Sequence, residues 1–376
     1  MKQKNRALPE QMNNQGKQTE LVKRGIINYI TDHHLKVGDR IPTQTVLRNL
    51  LGVGNAVIGR AIQSLTADGI LENKGRGGII LRNTDIQGFP GRNIGIICHH
   101  DMEFMSMASF MQALSFILNQ KACQLTLFVK SENELKDQYH FREFSGLERA
   151  IQKHSIDGLF STIRLNEESE MFLKKSKMPF SYVGIERSNP EIPCVNFKLD
   201  IENILRGLPE KGFKRPMLIH MGHPFTKKIR MDFMNCCDLF DFQGYAPEKF
   251  CQLIREDASS PWDLSSNMQK VLLLTHQLTG MKPEHRPDVL VVLDDVIANW
   301  IALELKSHDW KPDIIHYEHL QMGFSWPLRT WGDYYQLDFV ELAKNAVELL
   351  LALINGKNIS QKKIELVPPY IRKSIG

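Results

Sequence analysis

From Asn55 to Gln63 the side chains Asn55, Ala56, Gly59, Arg60 and Gln63 recur on one side of a helical repeat, and all are small or able to hydrogen-bond. A carboxamide such as Asn55 can both donate to and accept from an adenine edge, Arg60 can hold a phosphate, and the small Ala56 and Gly59 allow close approach in a major groove. Downstream, Lys74, Arg76 and Gly77 belong to the run Asn73-Lys74-Gly75-Arg76-Gly77-Gly78, a glycine-rich tip with two cations that can lie along a backbone or minor groove. Thr43, Gln44, Thr45 and Arg48, a few residues upstream, complete the candidate set. Phosphate-binding groups around a base-reading face are the chemistry of double-stranded DNA recognition.

Local elements must hold these groups in place. Thr43 can cap a short helix whose apolar residues Val46, Leu47, Leu50 and Leu51 recur as a buried stripe. Gly52-Val53-Gly54 turns the chain, and a second helix starts at Asn55 as its N-cap, buries Ile58, Ala61, Ile62 and Leu65, and stops at Gly69. Ile70-Leu71 and Ile79-Ile80-Leu81 flank the glycine-rich tip as a hairpin. A supporting helix from Thr19 or Glu20 puts Val22, Ile26, Tyr29 and Ile30 on one face. The spacing predicts a winged helix-turn-helix, an arrangement that protein-interaction modules also use. Met1 to Gln18 is polar and expected to be a disordered tail.

Residues 19–82 resemble the DNA-binding domain of GntR-type bacterial regulators. The resemblance rests on Leu35-Lys36-Val37-Gly38-Asp39-Arg40-Ile41-Pro42, Val46-Leu47, Gly52-Val53, Ala61-Ile62, Leu65, Asp68-Gly69-Ile70-Leu71 and Gly75-Arg76-Gly77. The family pattern has arginine where this chain has Thr45, Asn55 and Gly59. The resemblance therefore implies a base preference shifted from guanine toward adenine at Asn55, with Arg48, Arg60, Lys74 and Arg76 supplying phosphate contacts.

Charge follows the same division. Residues 1–92 hold fourteen Lys or Arg against seven Asp or Glu, whereas the remainder has three more acids than bases, within a net charge of +4. Cations gathered at one end suit counterion release from DNA. The chain of 376 residues, 42% hydrophobic and 24% charged, can hold two or three cores of a globular protein. Its six cysteines lack any C-x-x-C pair and read as reduced core residues of a cytoplasmic protein. No apolar run reaches membrane-spanning length, and the first eighteen residues carry no secretory signal.

Arg82 to Asn93 loses periodicity, and 83–92 is the expected linker. Beyond it, short apolar strands alternate with helical stretches. Strands are expected at Ile94–Cys98, Leu125–Val129, Gly158–Ser161, Phe180–Ile185, Met217–His220, Val289–Leu293 and Ile314–Tyr317, with helices such as Met105–Asn119, Glu143–His154 and Leu199–Lys211. The fold class is α/β with parallel sheets covered on both faces, and ligands belong at the carboxyl ends of the strands.

Residues 93–376 resemble the effector domain of LacI/GalR-type repressors, which is built like a periplasmic sugar-binding protein. The matching pieces are Arg92-Asn93-Ile94-Gly95-Ile96-Ile97, Ile156-Asp157-Gly158-Leu159-Phe160, Glu210-Lys211-Gly212-Phe213, Asp294-Asp295-Val296-Ile297-Ala298, Ala346-Val347-Glu348-Leu349-Leu350 and Ile371-Arg372-Lys373-Ser374. A GntR-like reader on a LacI-like sensor is the pairing of arabinose-responsive repressors. The resemblance implies two lobes around a small polar effector, with Arg230 and Asp295 as its contacts. Glu186 near the lobe crossover, and His100, Asp101, Ser106 and Met107 in the first strand-to-helix connection, complete the implied set. Lys198 stands where the family has an aspartate, so the effector need not be an ordinary sugar.

His99-His100 and His220-x-x-His223 lack the partners of a metal site, and no nucleophile–base set or phosphate loop is present, so neither an enzyme nor a cofactor is expected. Cys236-Cys237 reads as packing. The leading expectation is a cytoplasmic, homodimeric DNA-binding regulator of repressor type that senses a carbohydrate-like metabolite. The alternative is a ligand-binding protein with a degenerate DNA-binding domain.

Overall fold

The computed structural model describes residues 9–33, 35–83, 91–98, 105–130, 136–185, 187, 189–220, 226–242, 264–293, 295–319 and 332–372. Two compact units divide the chain: Met1–Ile96 with Ser115–Leu127 and Ala150–Leu159, and Ile97–Leu114 with Phe128–Arg149 and Phe160–Gly376.

The first unit opens with α1 (Pro9–Asp32), ten residues earlier than the apolar pattern placed its start. The expected tail is thus helical from Pro9. A proline at the first helical position gives up no bonded N–H, and the following glutamate suits the positive end of the helix. Val22, Ile26 and Ile30 are buried as the spacing requires, whereas Tyr29 is only half-buried and Ile27 takes the fourth core position. α2 (Gln44–Leu51) is capped by Thr43, whose hydroxyl accepts from the Val46 N–H at 3.4 Å, and it ends at Gly52 in the left-handed conformation. Only Leu47 of its stripe is fully buried. Val46 and Leu50 stay 45% and 58% exposed, a correction to the expected stripe: this short helix meets its neighbours along Leu47 and Leu51, the latter against Gly25 of α1.

α3 (Asn55–Ala67) buries Ile58, Ala61, Ile62 and Leu65. Its N-cap is Gly54 rather than Asn55, with no side-chain cap. β1 (Leu71–Asn73) and β2 (Ile79–Leu81) pair antiparallel, Leu71 opposite Leu81. The loop before α2 joins this hairpin, since the Gly38 N–H donates to Leu81 O and the Ile41 N–H to Ile79 O. Gly38 has φ +93°, a conformation that only glycine adopts without strain, and Asp39 accepts the Lys36 N–H at 2.7 Å. The Gly-Asp dipeptide therefore has a geometric reason.

β3 (Arg92–Cys98), β4 (Cys123–Val129) and β5 (Gly158–Ser161) begin in this unit. Arg92 already lies in β3, so the expected linker gives way to strand by that residue.

α4 (Met105–Gln120) and α5 (Leu147–Gln152) each begin in the second unit and end in the first, and α6 (Glu167–Lys175), β6 (Phe180–Val183) and β7 (Cys194–Phe197) follow in the second. The expected helix over 143–154 is shortened to α5 behind a single turn at Phe141–Glu143. After α7 (Ile201–Arg206) come β8 (Pro216–Ile219), α8 (Thr226–Leu239), α9 (Leu264–Gly280), β9 (Val289–Val292), α10 (Asp295–Leu305), β10 (Asp313–His319), β11 (Gly332–Leu337), α11 (Phe339–Ile354), β12 (Lys363–Leu366) and β13 (Tyr370–Ile371). One sheet has the order β12-β7-β6-β5-β3-β4 and the other β13-β11-β10-β9-β8. Pairing is parallel between β8, β9, β10 and β11, and only β13 runs antiparallel there. The chain passes from the first sheet to the second after β7, returns through α11 and β12, and passes again to β13.

The second sheet carries a core on each face. Met217, Leu290, Val292 and Ile314 pack with α9 and α10, while Leu218, Val289, Val291 and Ile315 pack with α7 and α8. This alternation makes β8 and β9 apolar throughout, while β10 keeps His316 and Glu318 beyond its apolar start.

Candidate functional site

Along α3, Asn55, Ala56, Arg60 and Gln63 are exposed and Gly59 is half-buried. Because Gly54 takes the cap, the Asn55 carboxamide is released from capping and sits at the amino end of the helix, the end that enters a major groove in helix-turn-helix proteins. A Cβ added at Gly59 meets nothing within 4 Å, so no packing reason explains the glycine. Thr43, Gln44, Thr45 and Arg48 are exposed on α2 and its cap; the Arg48 guanidinium rests on Asn49 Oδ1 at 3.2 Å. In the wing, Asn73 Oδ1 accepts the Gly75 N–H at 3.0 Å and the Lys74 N–H donates to Gly78 O at 2.9 Å. This turn exposes Lys74 and keeps Gly77 tight against it. Backbone at Arg76 belongs to the same turn, and its side chain lies outside the described ones.

The implied effector residues are spread over the second unit. Arg230 is half-buried on α8, and Asp295, 3% exposed, opens α10 directly after β9. α8 and α10 cover opposite faces of the second sheet, and each begins beyond the carboxyl end of a strand. His100, Asp101 and Glu186 lie outside the described residues. Ser106 and Met107, expected in a connection, belong to the first turn of α4, and their side chains are not among those described. The strand before the crossover is β7, so Glu186 precedes a strand that the apolar pattern did not resolve.

Other polar groups gather at the same carboxyl edges. His220 ends β8 at 3% exposure, and on β10 the buried His316 and Glu318 stand 3.7 Å apart on the α10 side. Asn299 donates to Asp295 O at 2.7 Å within α10. The signal for His316 and Glu318 was present as two polar residues inside the run Ile314-Ile315-His316-Tyr317-Glu318. At the end of β4, Lys130, its side chain 2% exposed, pairs with Glu143 at 2.8 Å, and Lys136 reaches the same oxygen at 3.3 Å. Burial alone would raise the Glu143 carboxyl; the Lys130 bond, the His140 N–H and Lys136 outweigh it and hold it at about 2.

Cys236 and Cys237 are buried free thiols, and burial pushes Cys237 up to about 12. Among the described residues no three His, Cys, Asp or Glu side chains come together as a metal site, and no helix is long and apolar enough to cross a membrane.

Residues 18–81 match the sequence model of the bacterial regulatory proteins of the gntR family. The solved structure of a LacI-family regulatory protein from Chloroflexus aggregans superimposes with a TM-score of 0.56 at 17% identity, over 75% of this chain and 98% of that one. The chain joins a GntR-type domain to the fold of LacI-family regulators. Similar coverage, 75% and 98%, holds for the transcription regulator GntR from Chromobacterium violaceum, with a TM-score of 0.58 at 16% identity. The Cra transcriptional dual regulator from Pseudomonas putida, solved with fructose 1-phosphate, gives 0.55 at 16% over the same shares. These identities carry the fold. No curated protein matches the chain by sequence comparison. Of the three positions where the resemblance expects arginine, Thr45 and Asn55 are exposed and Gly59 is half-buried.

Proposed function

We propose that this chain is a transcription regulator whose GntR-type domain reads double-stranded DNA and whose LacI-type domain binds a small polar metabolite, of carbohydrate type, that controls operator binding. The observation that carries the reading is α3, which exposes Asn55, Ala56, Arg60 and Gln63 on the side opposite its buried residues, next to a cationic wing. Arg76→Ala is expected to weaken binding to all duplexes alike and to lower the slope of log affinity against log salt by about one unit, as for one lost phosphate contact. Asn55→Ala is expected to cost about 1–3 kcal/mol on the preferred site and little on random DNA, as for a bidentate adenine contact. Shift assays on genomic fragments at several salt concentrations read both. Equal losses on specific and random duplexes for Asn55→Ala would remove its base-reading role, and salt-independent binding would favour a ligand-binding protein with a degenerate reader.

The carbohydrate class is supported by the fructose 1-phosphate in the Pseudomonas putida relative and by the acceptor-rich carboxyl edge of the second sheet, where Asp295 and Glu318 suit ligand hydroxyls. We further propose a homodimer, as two half-sites require a common support. Phe116 on α4 and Leu127 on the edge strand β4 are 63% and 46% exposed and supply its apolar contact. Sedimentation of the full chain is expected to give a dimer at micromolar concentration and a monomer for Phe116→Arg. A monomeric wild type would count against this arrangement.

A further inference from the structure

The GntR-type domain is built onto the sheet rather than set beside it. It forms one compact unit with the amino ends of β3, β4 and β5 and the turn between α4 and β4. The contacts come from α1. Arg24 pairs with Asp157, at the start of β5, and its Nε donates to Gly91 O at 3.0 Å. Asp157 also accepts the Asn93 N–H at 2.6 Å, so the carboxylate that receives Arg24 is part of the sheet's own bonding. Eight residues further along α1, Asp32 receives both terminal nitrogens of Arg92, at 3.2 and 2.7 Å, and the Arg92 side chain is 9% exposed. Between the two pairs the backbone itself touches the helix. A Cβ on Gly91 would stand 2.3 Å from Asn28 Oδ1 and 3.3 Å from Ala122 O, and the Gly91 N–H donates to Ala122 O at 2.6 Å. Ala122 in turn packs against the buried core of the reader.

Such contacts are costly to hold by chance. Two arginine–carboxylate pairs, each with a mostly buried guanidinium and a partly exposed carboxylate, are spaced two turns apart on one helix and together fix both its position and its rotation about its axis. We propose that α1 is a rigid mount, so that the reader moves with the amino ends of β3 and β5 as one body. A change in the sensor would then reach DNA through Arg24, Asp32, Arg92 and Asp157, and not through a free tether. The mount stands on the geometry alone; its role in transmission rests on the regulator reading above.

The test is rotational and needs neither effector nor operator. A dye is placed on a cysteine at Lys36, exposed in the loop after α1, in a Cys251→Ser background, and the fluorescence depolarisation of the full chain is followed in time. The wild type is expected to show no component as fast as the rotation of a detached reader domain. Arg24→Gln with Arg92→Gln is expected to add a component several-fold faster, with helical circular dichroism unchanged, and exchanging the second pair as Asp32→Arg with Arg92→Asp is expected to remain slow. A fast component already present in the wild type, or a double variant that stays slow, overturns the mount; the wild-type decay decides even if a variant fails to fold. Binding of the unlabelled proteins to random duplex, which should be equal for wild type and Arg24→Gln, reports separately on the DNA reading.

Discussion

Asp295→Ala and Arg230→Ala should each bind the effector roughly thirty-fold or more weakly than the wild type, because losing one partner of a desolvated, charge-assisted contact costs about 2–5 kcal/mol. The positional argument comes from the second sheet. Asp295 opens α10 straight after β9, Arg230 lies in the second turn of α8 after β8, and β8 and β9 are neighbours paired in parallel. The two helices cover opposite faces of that sheet. Both enter from its carboxyl edge, so the two side chains border one edge from either side, which is where open parallel sheets take ligands. Operator affinity without effector should stay within a factor of about two, since neither residue is in the unit that carries α3, and additivity holds for distant sites. A thermal-shift screen of sugars and sugar phosphates, followed by calorimetric titration of both variants, makes the measurement. Wild-type affinity in both would place the pocket elsewhere.

The second large effect is structural and acid-dependent. Glu143→Ala should cost about 3–5 kcal/mol of stability in the second unit, the range for breaking a buried ion pair from one side, because it takes the carboxylate from Lys130 at 2.8 Å. In the wild type the same pair predicts the acid limb. The folded Glu143 is held at about 2 against an ordinary value of 4.5. A carboxyl depressed by folding contributes stability that is complete above its unfolded value and is lost as pH falls toward its folded one. Denaturant midpoints should therefore decline between about pH 5 and pH 2, and Glu143→Gln should flatten that limb while lowering the plateau. An unchanged slope in the variant would show that other carboxylates govern acid unfolding.

How far the sequence carried depends on how much each element buries. β3, β5, β6, β8 and β9 bury nearly every residue, and their continuous apolar runs were readable. β11, Gly-Asp-Tyr-Tyr-Gln-Leu, is half-buried along most of its length, β12 is an edge strand, and β13 has two residues, so none offered the same signal. β7 is as long as its readable neighbours, but Asn196 breaks its apolar run just behind Pro193. The start of α1 was hidden because Pro9 to Gln18 has no apolar period, although Pro followed by Glu is a start signal in itself. At the DNA face the buried and exposed sides of α3 were assigned correctly from spacing, and the one error was local: glycine competes with asparagine as an N-cap, and Gly54 won. The proposed effector edge is different. Arg230, Asp295, His316 and Glu318 come from segments up to ninety residues apart, and only strand register brings them to one edge.

Gly59 leaves α3 with a price and an opening. A glycine inside a helix costs about 1 kcal/mol relative to alanine, and here no neighbour demands it, since a side chain would meet nothing within 4 Å. The position is therefore a socket in the face of α3 that we propose meets DNA. Side chains of different size and charge can be installed there without disturbing Ile58, Ala61 or Ile62 behind it. A set of readers with separate operator preferences could be derived from this one scaffold by exchange at a single residue, each retaining the same sensor, so that several promoters in one cell would answer to one metabolite.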